Sequence, residues 1–283
     1  MHLAAILLVF KEQYFVKATI SAIYPVVDSI CCVTRYDRTW KGKQISPDAT
    51  VFTILGLPDP ENKIRLTIQR DLSDVPGNDN EARLRNIAMQ QDPKADYYLI
   101  IDSDEIWEPE VLREAWNYVQ KTQQSAYHSL THCYFQKWNF RVNEAEPYRP
   151  LVFLRKGFRF KALRRIDWWT LPGRFLEYIR LIHKPRTVRL PEHLKLHHGS
   201  GVGDDNRILT KITNYGHQDE IDPGWFDRVW KNFSEDTTDF HFAQGEASRF
   251  KGITVVPTKD LPPEIRDMDW PAGWVKRDGT EQK

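Results

Sequence analysis

The stretch that decides the fold is Tyr97–Glu105, with the sequence YYLIIDSDE. Its first five residues are apolar, and an acidic cluster follows them directly. A continuous apolar run of this length suits a parallel strand that is covered on both faces of a sheet. Ligands of open α/β sheets bind at the carboxyl ends of such strands. The position of Asp102 and Asp104 at that end therefore predicts a ligand site.

The segments before this stretch alternate between strand and helix patterns. The predicted elements are strands at Leu3–Phe10, Ser29–Thr34 and Val51–Leu55, a helix that contains Val16, Ile20 and Ile23, and a helix that Asn80 caps. Alternating strands and helices predict an α/β fold with a doubly wound, mostly parallel sheet that helices flank on both faces.

The pattern changes in the second half of the chain. A helix is expected after Pro109, followed by long β-prone segments at Ala126–Phe140 and Leu151–Phe160. Two further helices are predicted, one around Ile208 and Ile212 and one around Phe226 and Trp230. The second half is therefore expected to be β-rich first and helical later.

Asp102 and Asp104 have the spacing of a shared cation site. Residues i and i+2 of an extended segment point the same way, so both carboxylates can bind one hard ion. A divalent ion with few protein ligands keeps positions open for diphosphate oxygens. It then neutralises charge that grows on a leaving nucleoside diphosphate. The alternative is structural, because acidic residues after a strand also stabilise the first turn of a helix.

Composition narrows the class of protein. The chain has 283 residues, 41% of them hydrophobic, which is enough for one large α/β domain. Residues Arg149–Arg189 carry a net charge of +10, whereas the rest of the chain carries −9. This uneven distribution suggests that an acidic ligand meets one face.

The cysteines and apolar runs bear on location. Cys31, Cys32 and Cys133 have no regular spacing, which is typical of reduced thiols in a cytoplasmic protein. The run Leu3–Phe10 is too short to span a membrane and lacks the flanks of a signal peptide. We therefore expect a cytoplasmic protein with no transmembrane segment.

Four segments resemble the family 2 glycosyltransferases of the GT-A type. Glu81–Ala88 (EARLRNIA) is similar to the Ala-Arg-Asn-type helix of that family, and Ala95–Glu105 to its apolar strand that runs into Asp-x-Asp-Glu. Leu7–Ile30 is similar to the opening strand, helix and second strand. Arg149–Phe160 resembles its Arg-Leu-Phe-Arg segment. The likeness covers roughly the first two-thirds of the chain.

The resemblance implies a Rossmann-like GT-A fold, a nucleotide diphosphate sugar as donor (a UDP-sugar is favoured), Mn²⁺ or Mg²⁺ as cofactor, and inversion at the anomeric carbon. Residues 1–125 would form the nucleotide-sugar-binding half, 126–253 the acceptor-binding and catalytic half, and 254–283 a C-terminal extension. The donor-binding residues would be Phe10, Asp37, Arg85, Asn86, Asp102 and Ser103; an ordinary core position for Phe10 and a solvated helix position for Arg85 are the alternatives.

The third metal ligand and the catalytic base come from the same resemblance. Many GT-A enzymes complete the metal site with a C-terminal histidine, and His198 is expected in that role with Asp102 and Asp104; a hydrogen-bonded pair of His197 and His198 beside a flexible turn is the alternative. The glycine-rich stretch Gly199–Gly203 is expected to be a loop that closes over the diphosphate.

Asp167 is the expected catalytic base, since the relatives place an acid there. One alternative is that Asp167 only forms a salt bridge with its neighbouring arginines. Another is that the base is one of three other acids: Glu144, Glu146 and Glu177.

The basic, aromatic segment is expected to bind the acceptor through Arg164, Arg165, Trp168 and Trp169. Sugars and bases both stack on such rings beside cations. The local charge favours a phosphate-bearing acceptor, such as a nucleic acid or a lipid-linked glycan. A solvated basic face with core tryptophans is the alternative.

Two other functions remain open from sequence. One is a non-catalytic module on the same fold that binds nucleic acid or glycan through the basic segment. The other is a nucleotidyltransferase, which requires a glycine-rich basic loop after the first strand. Phe10–Gln13 lacks those glycines, so this function is the least favoured.

Overall fold

The computed structural model describes residues 1–39, 42–70, 77–145, 147–162, 164–168, 186–214 and 220–276. Its main sheet contains seven strands among these residues. They are β1 (Leu3–Val9), β2 (Ser29–Thr34), β3 (Ile64–Ile68), β4 (Tyr97–Asp102), β6 (Ala126–His128), β8 (Leu151–Arg155) and β11 (Thr187–Arg189). Their order across the sheet is β11-β6-β8-β4-β1-β2-β3.

Most neighbours in this sheet run parallel. The contiguous block β4-β1-β2-β3 is parallel throughout, and only β8 runs antiparallel to its neighbours. The described helices are α1 (Phe15–Ile23), α2 (Thr50–Leu55), α3 (Gly77–Gln90), α4 (Pro109–Thr122), α5 (Asp205–Asn214) and α6 (Pro263–Arg266). The protein is therefore a mixed α/β fold with a large, mostly parallel sheet flanked by helices, as predicted.

Alternation within the strands builds two separate apolar layers. Leu7 and Ile101 belong to the layer that packs against α1 and α4, whereas Ile6 and Ile100 belong to the layer that packs against α3. Successive side chains of a strand point to opposite faces, so a sheet covered on both faces needs apolar residues throughout. This requirement explains why the strands were visible as continuous apolar runs.

One predicted strand is wrong. Val51–Leu55 lies in the helix α2, and the third strand is Ile64–Ile68. The Asp48 carboxylate accepts a hydrogen bond from the Thr50 N–H at 3.0 Å, which favours a turn into the helix. Five β-branched and apolar residues are too few for periodicity to separate strand from helix.

The predicted helix cap at Asn80 is also wrong. Helix α3 begins at Gly77, so Asn80 lies inside the helix and not at its cap.

A second sheet carries the other half of the site. It has the order β13-β7-β12-β5 and consists of β5 (Glu105–Ile106), β7 (Thr131–Glu144), β12 (Leu196–Val202) and β13 (Phe250–Val255). A separate hairpin pairs β9 (Phe158–Ala162) with β10 (Arg165–Trp168). The predicted helix around Phe226 is a short π-helical segment, Phe226–Trp230.

Two further observations concern the cysteines and the helices. Cys31, Cys32 and Cys133 are buried and form no disulfide. Among the helices that the structure describes, none combines the length and the apolar character needed to cross a bilayer.

Candidate active site

A polar cavity of about 370 Å³ opens at the carboxyl edge of the main sheet. Strands β1 and β4 are direct neighbours, with Leu8 opposite Asp102, so the segments that follow both strands meet at this edge. Five of the predicted site residues line the cavity: Phe10, Arg85, Asp102, Ser103 and Asp104. Parallel strands bring together residues that lie far apart in the chain.

Backbone contacts hold the acidic motif in place. The Thr19 hydroxyl donates to the Ser103 carbonyl at 2.7 Å, and the Gly199 N–H donates to the Asp104 carbonyl at 2.8 Å. The Asp102 N–H donates to the Glu105 carboxylate at 2.9 Å. The motif is thus anchored to α1, to β12 and to its own fourth residue, which limits the freedom of both aspartates.

Two arginines hold the Asp102 carboxylate. Arg85 lies 2.9 Å from Oδ1, and Arg164 lies 2.8 Å from Oδ2. Desolvation raises the pKa of Asp102, but the charges of Arg164 and Arg85 outweigh it, so the pKa lies below its ordinary value. Asp102 is therefore a carboxylate whose two oxygens already face cations.

Arg164 also holds Glu105, which is completely buried. It donates to Oε1 and Oε2 at 2.8 and 2.9 Å. Burial raises the pKa of Glu105 to about 7, although Arg164 opposes this effect. The Arg164 side chain is only 13% exposed. The structure therefore places this predicted acceptor-binding residue behind the acidic motif, in an internal ion-pair network.

Helix α5 supplies cations to the opposite side of the motif. Lys211 forms an ion pair with Oδ2 of Asp104, and Arg207 lies 3.6 Å from the same oxygen. Arg207 also binds Glu12 through two hydrogen bonds, at 2.8 and 3.1 Å. Burial raises the pKa of Asp104, but the charges of Lys211, His198 and Arg207 lower it well below its ordinary range. Asp104 is thus ionised throughout the physiological pH range.

Sequence reasoning missed Glu12, Arg207 and Lys211. Arg207 and Lys211 are four residues apart, so both project from one face of α5 towards the cavity. That spacing was the available signal, yet nothing local shows that the side chains of α5 reach Glu12, in the segment that follows β1. Their placement depends on the tertiary fold.

His198, the expected third metal ligand, lies near Asp104. Its Nε2 lies 3.8 Å from Oδ1 of Asp104, the oxygen that Lys211 does not bind. Burial lowers the pKa of His198 to about 4, so the imidazole is neutral at pH 7. His197 points away and joins Tyr134 and Glu108 at 2.8 and 3.2 Å. The alternation of β12 thus separates the two histidines, and His198 is the one that faces the site.

A metal ion has a partial set of ligands here. In the ranges that the structure describes, no three His, Cys, Asp or Glu side chains are arranged to hold a metal ion. Asp104 and His198 fit two positions, because a carboxylate suits Mn²⁺ or Mg²⁺ and a neutral imidazole is a competent ligand for Mn²⁺-like ions. Asp102 does not fit the third in this arrangement, since both of its oxygens face arginines.

The glycine-rich stretch is not a loop over the diphosphate. Gly199, Ser200, Gly201 and Val202 belong to β12, and Gly201 pairs with Phe135 of β7. A Cβ on Gly199 would lie 2.5 Å from the Phe15 ring and 2.6 Å from the Trp138 ring. Glycine is required here because aromatic rings pack directly against the backbone.

Other predicted residues lie elsewhere. Asn86 uses its amide to bind the backbone of Phe160, donating and accepting at 2.8 Å, and thereby joins α3 to β9. Asp37 is partly buried in the segment after β2 and is not among the residues that line the cavity. Arg165 is exposed in β10. Trp169, Glu146 and Glu177 lie outside the described residues, as do the side chains of Asp167 and Trp168.

A second cavity of about 320 Å³ adjoins the motif. It shares Asp102, Asp104 and Lys211 with the first cavity. Glu144, one of the rivals for the catalytic base, lines it, and burial raises the pKa of that residue. The two cavities therefore meet at the acidic motif.

Fold and site together define a mixed α/β protein with an acidic, cation-lined cavity at the carboxyl edge of its sheet. No protein-family model matches the chain, and no curated protein matches it.

Among solved structures, the chain is similar to S. aureus TarS. TarS 1-349 is 14% identical, with a TM-score of 0.37 over 55% of this chain and 47% of that one. Its complex with UDP-GlcNAc is 16% identical, with a TM-score of 0.35 over 47% of this chain and 35% of that one. The chain thus spans less than half of the length of these structures.

Proposed function

We propose that this protein is a glycosyltransferase that moves a sugar from a nucleotide diphosphate sugar to an acceptor hydroxyl. The observation that carries the proposal is the cavity in front of Asp102 and Asp104, at the edge where α/β sheets bind ligands. The sequence resemblance to GT-A enzymes of family 2 supports the same function.

The lining of the cavity suits a diphosphate and a divalent ion. Four cations line it among the residues that the structure describes, namely Lys11, Arg85, Arg207 and Lys211. The carboxylates that line it are Glu12, Asp48, Glu81, Asp102, Asp104 and Asp204. The excess of negative charge favours an added cation, and we propose that Asp104 and His198 bind Mn²⁺ or Mg²⁺. When bound, that ion would neutralise charge on the leaving diphosphate.

The residues of the chain have separate roles in the proposed transfer. Lys211 and Arg207 lie beside Asp104, where a donor diphosphate would meet them, and stabilise negative charge that develops as it departs. The acceptor oxygen forms a bond to the anomeric carbon while the bond to the diphosphate breaks. The electron pair leaves with the nucleoside diphosphate, and a carboxylate takes the hydroxyl proton. Asp167 remains the predicted base, and inversion remains a prediction.

Donor turnover tests this function directly. UDP-sugars and other nucleotide sugars would be incubated with the protein, with added Mn²⁺ or with EDTA, and nucleoside diphosphate release measured. We expect release that needs the ion and is lost in Asp104→Asn, whereas Asp227→Asn, on the exposed π-helical segment, leaves it unchanged. Steeply salt-dependent DNA binding without turnover of any donor would favour the non-catalytic module instead. The cytoplasmic location and UDP as the donor nucleotide stay predictions.

A further inference from the structure

The second cavity has a position that suits an acceptor. It adjoins the donor cavity at Asp102, Asp104 and Lys211, so a molecule bound in it meets the proposed site of transfer at these three residues. Its walls come from β7, β12, α5 and the segment 220–250. This inference rests on the proposed function for the identity of the first cavity.

Aromatic rings form much of the wall. The described aromatic residues that line it are Tyr134, Phe135, Tyr148, Trp225, Phe242 and Phe250. The Tyr148 ring is stacked on His198 at 5.2 Å, and the Phe242 ring is stacked on His241 at 4.4 Å. Concave sites with aromatic walls and a few polar groups bind small organic rings. A sugar ring presents C–H groups that pack on such faces.

The charges that line this cavity disfavour the binding of a phosphate group. Five described carboxylates line it: Asp102, Asp104, Glu144, Glu220 and Glu246. Its described cations are Lys211 and Arg249, which pair with Asp104 and Glu246, so the lining keeps an excess of carboxylates over cations. Burial lowers the pKa of His241 to about 4, so this histidine adds no charge at pH 7. Like charges that face each other weaken binding, whereas hydroxyl groups donate hydrogen bonds to carboxylates.

We propose that the second cavity is the acceptor site and that it binds a neutral sugar ring, not a phosphate-bearing chain. This differs from the acceptor expected from the basic segment. Arg164 of that segment forms ion pairs with Asp102 and Glu105 and is not among the described residues that line the cavity.

Saturation-transfer NMR on the full chain tests the proposal without the donor. The probes are methyl glycosides of glucose, galactose and N-acetylglucosamine, and the 6-phosphates of the same sugars. We expect at least one neutral glycoside to bind, and its 6-phosphate to bind about tenfold more weakly. In Phe242→Ala the signal of the neutral glycoside should be lost. Equal or tighter binding of the phosphates, or unchanged signals in Phe242→Ala, would overturn the proposal.

A charge-reversal pair provides an independent measurement if Phe242→Ala does not fold. Glu246→Lys should narrow the difference between neutral and phosphorylated probes, whereas Glu235→Lys, which lies outside the cavity and is about half exposed, should not. An equal difference between neutral and phosphorylated probes in the two variants would contradict the proposal. UDP binding, measured by calorimetry on the same samples, distinguishes failure of the proposed function from failure of the acceptor proposal. Absence of UDP binding would contradict the donor site in the first cavity. The glycoside results decide whether the second cavity binds a neutral sugar.

Discussion

The Arg164 guanidinium donates two hydrogen bonds, of 2.8 and 2.9 Å, to the fully buried carboxylate of Glu105. Removal of one partner of such a pair leaves a buried charge without compensation. We expect Arg164→Met to lower the free energy of unfolding by about 3–5 kcal/mol. Chemical denaturation measures this loss.

The next residue is a matched control. Arg165 is exposed, so Arg165→Met should change the free energy of unfolding by no more than about 0.5 kcal/mol. Similar small effects of both substitutions would contradict the internal ion-pair network. If Arg164→Met lost acceptor binding but kept its stability, the result would instead support the acceptor-binding role that the sequence predicts for Arg164.

Lys211 is expected to act on the leaving diphosphate, because its ammonium group contacts Asp104 between the two cavities. Lys211→Met keeps much of the side-chain length and removes the charge. We expect kcat/KM for donor turnover to fall roughly 100-fold, the order found when a group that stabilises developing negative charge is removed. Lys231→Met, on an exposed residue, is the control. Equal rates in both variants would exclude Lys211 from the mechanism.

Gly199 is expected to tolerate no side chain. A Cβ at this position would lie within 2.6 Å of two aromatic rings, so Gly199→Ala should destabilise the protein by about 1–3 kcal/mol. Because Gly199 follows His198 and binds the Asp104 carbonyl, the same change should also impair donor turnover. Ser200→Ala is the neighbouring control. Thermal unfolding with equal midpoints for the two variants would argue against the close packing of β12.

His241 is expected to link stability to acid. Burial lowers its pKa to about 4, whereas the unfolded chain titrates near the ordinary value of 6.5. Between these values the unfolded state binds a proton that the folded state does not. The stabilisation is therefore fully present above pH 6.5 and is lost as the pH falls towards 4, by at most roughly 3 kcal/mol.

Denaturation at several pH values checks this prediction. The fall in stability between pH 6.5 and 4 should be smaller in His241→Phe than in the unchanged protein. His193→Phe, on a residue that is 64% exposed, should keep the original pH dependence. Identical slopes in all three proteins would show that His241 does not titrate differently on folding. Burial also lowers the pKa of His132 to about 4, so this residue contributes to the same loss of stability as the pH falls.

The sequence alone determined the strands β1, β2 and β4 of the main sheet and the position of the acidic motif. Strands β1, β2 and β4 are covered on both faces, so each is a continuous apolar run that is visible locally. Edge strand β3 is only partly buried and lacks such a run, which is why Val51–Leu55 was taken for it. Asp102 and Asp104 follow β4 directly, and the carboxyl end of a parallel strand is where ligands bind.

The tertiary structure alone decided which charges meet. Lys211 reaches Asp104 across 107 residues, and Arg164 reaches Glu105 across 59. An ion pair needs only that two side chains approach within a few ångströms, and it leaves no period or spacing in the chain. Local patterns depend on neighbours no more than about four residues away, so they revealed the strands. They did not reveal that every oxygen of Asp102 faces an arginine, or that aromatic and acidic side chains enclose a second cavity beside it.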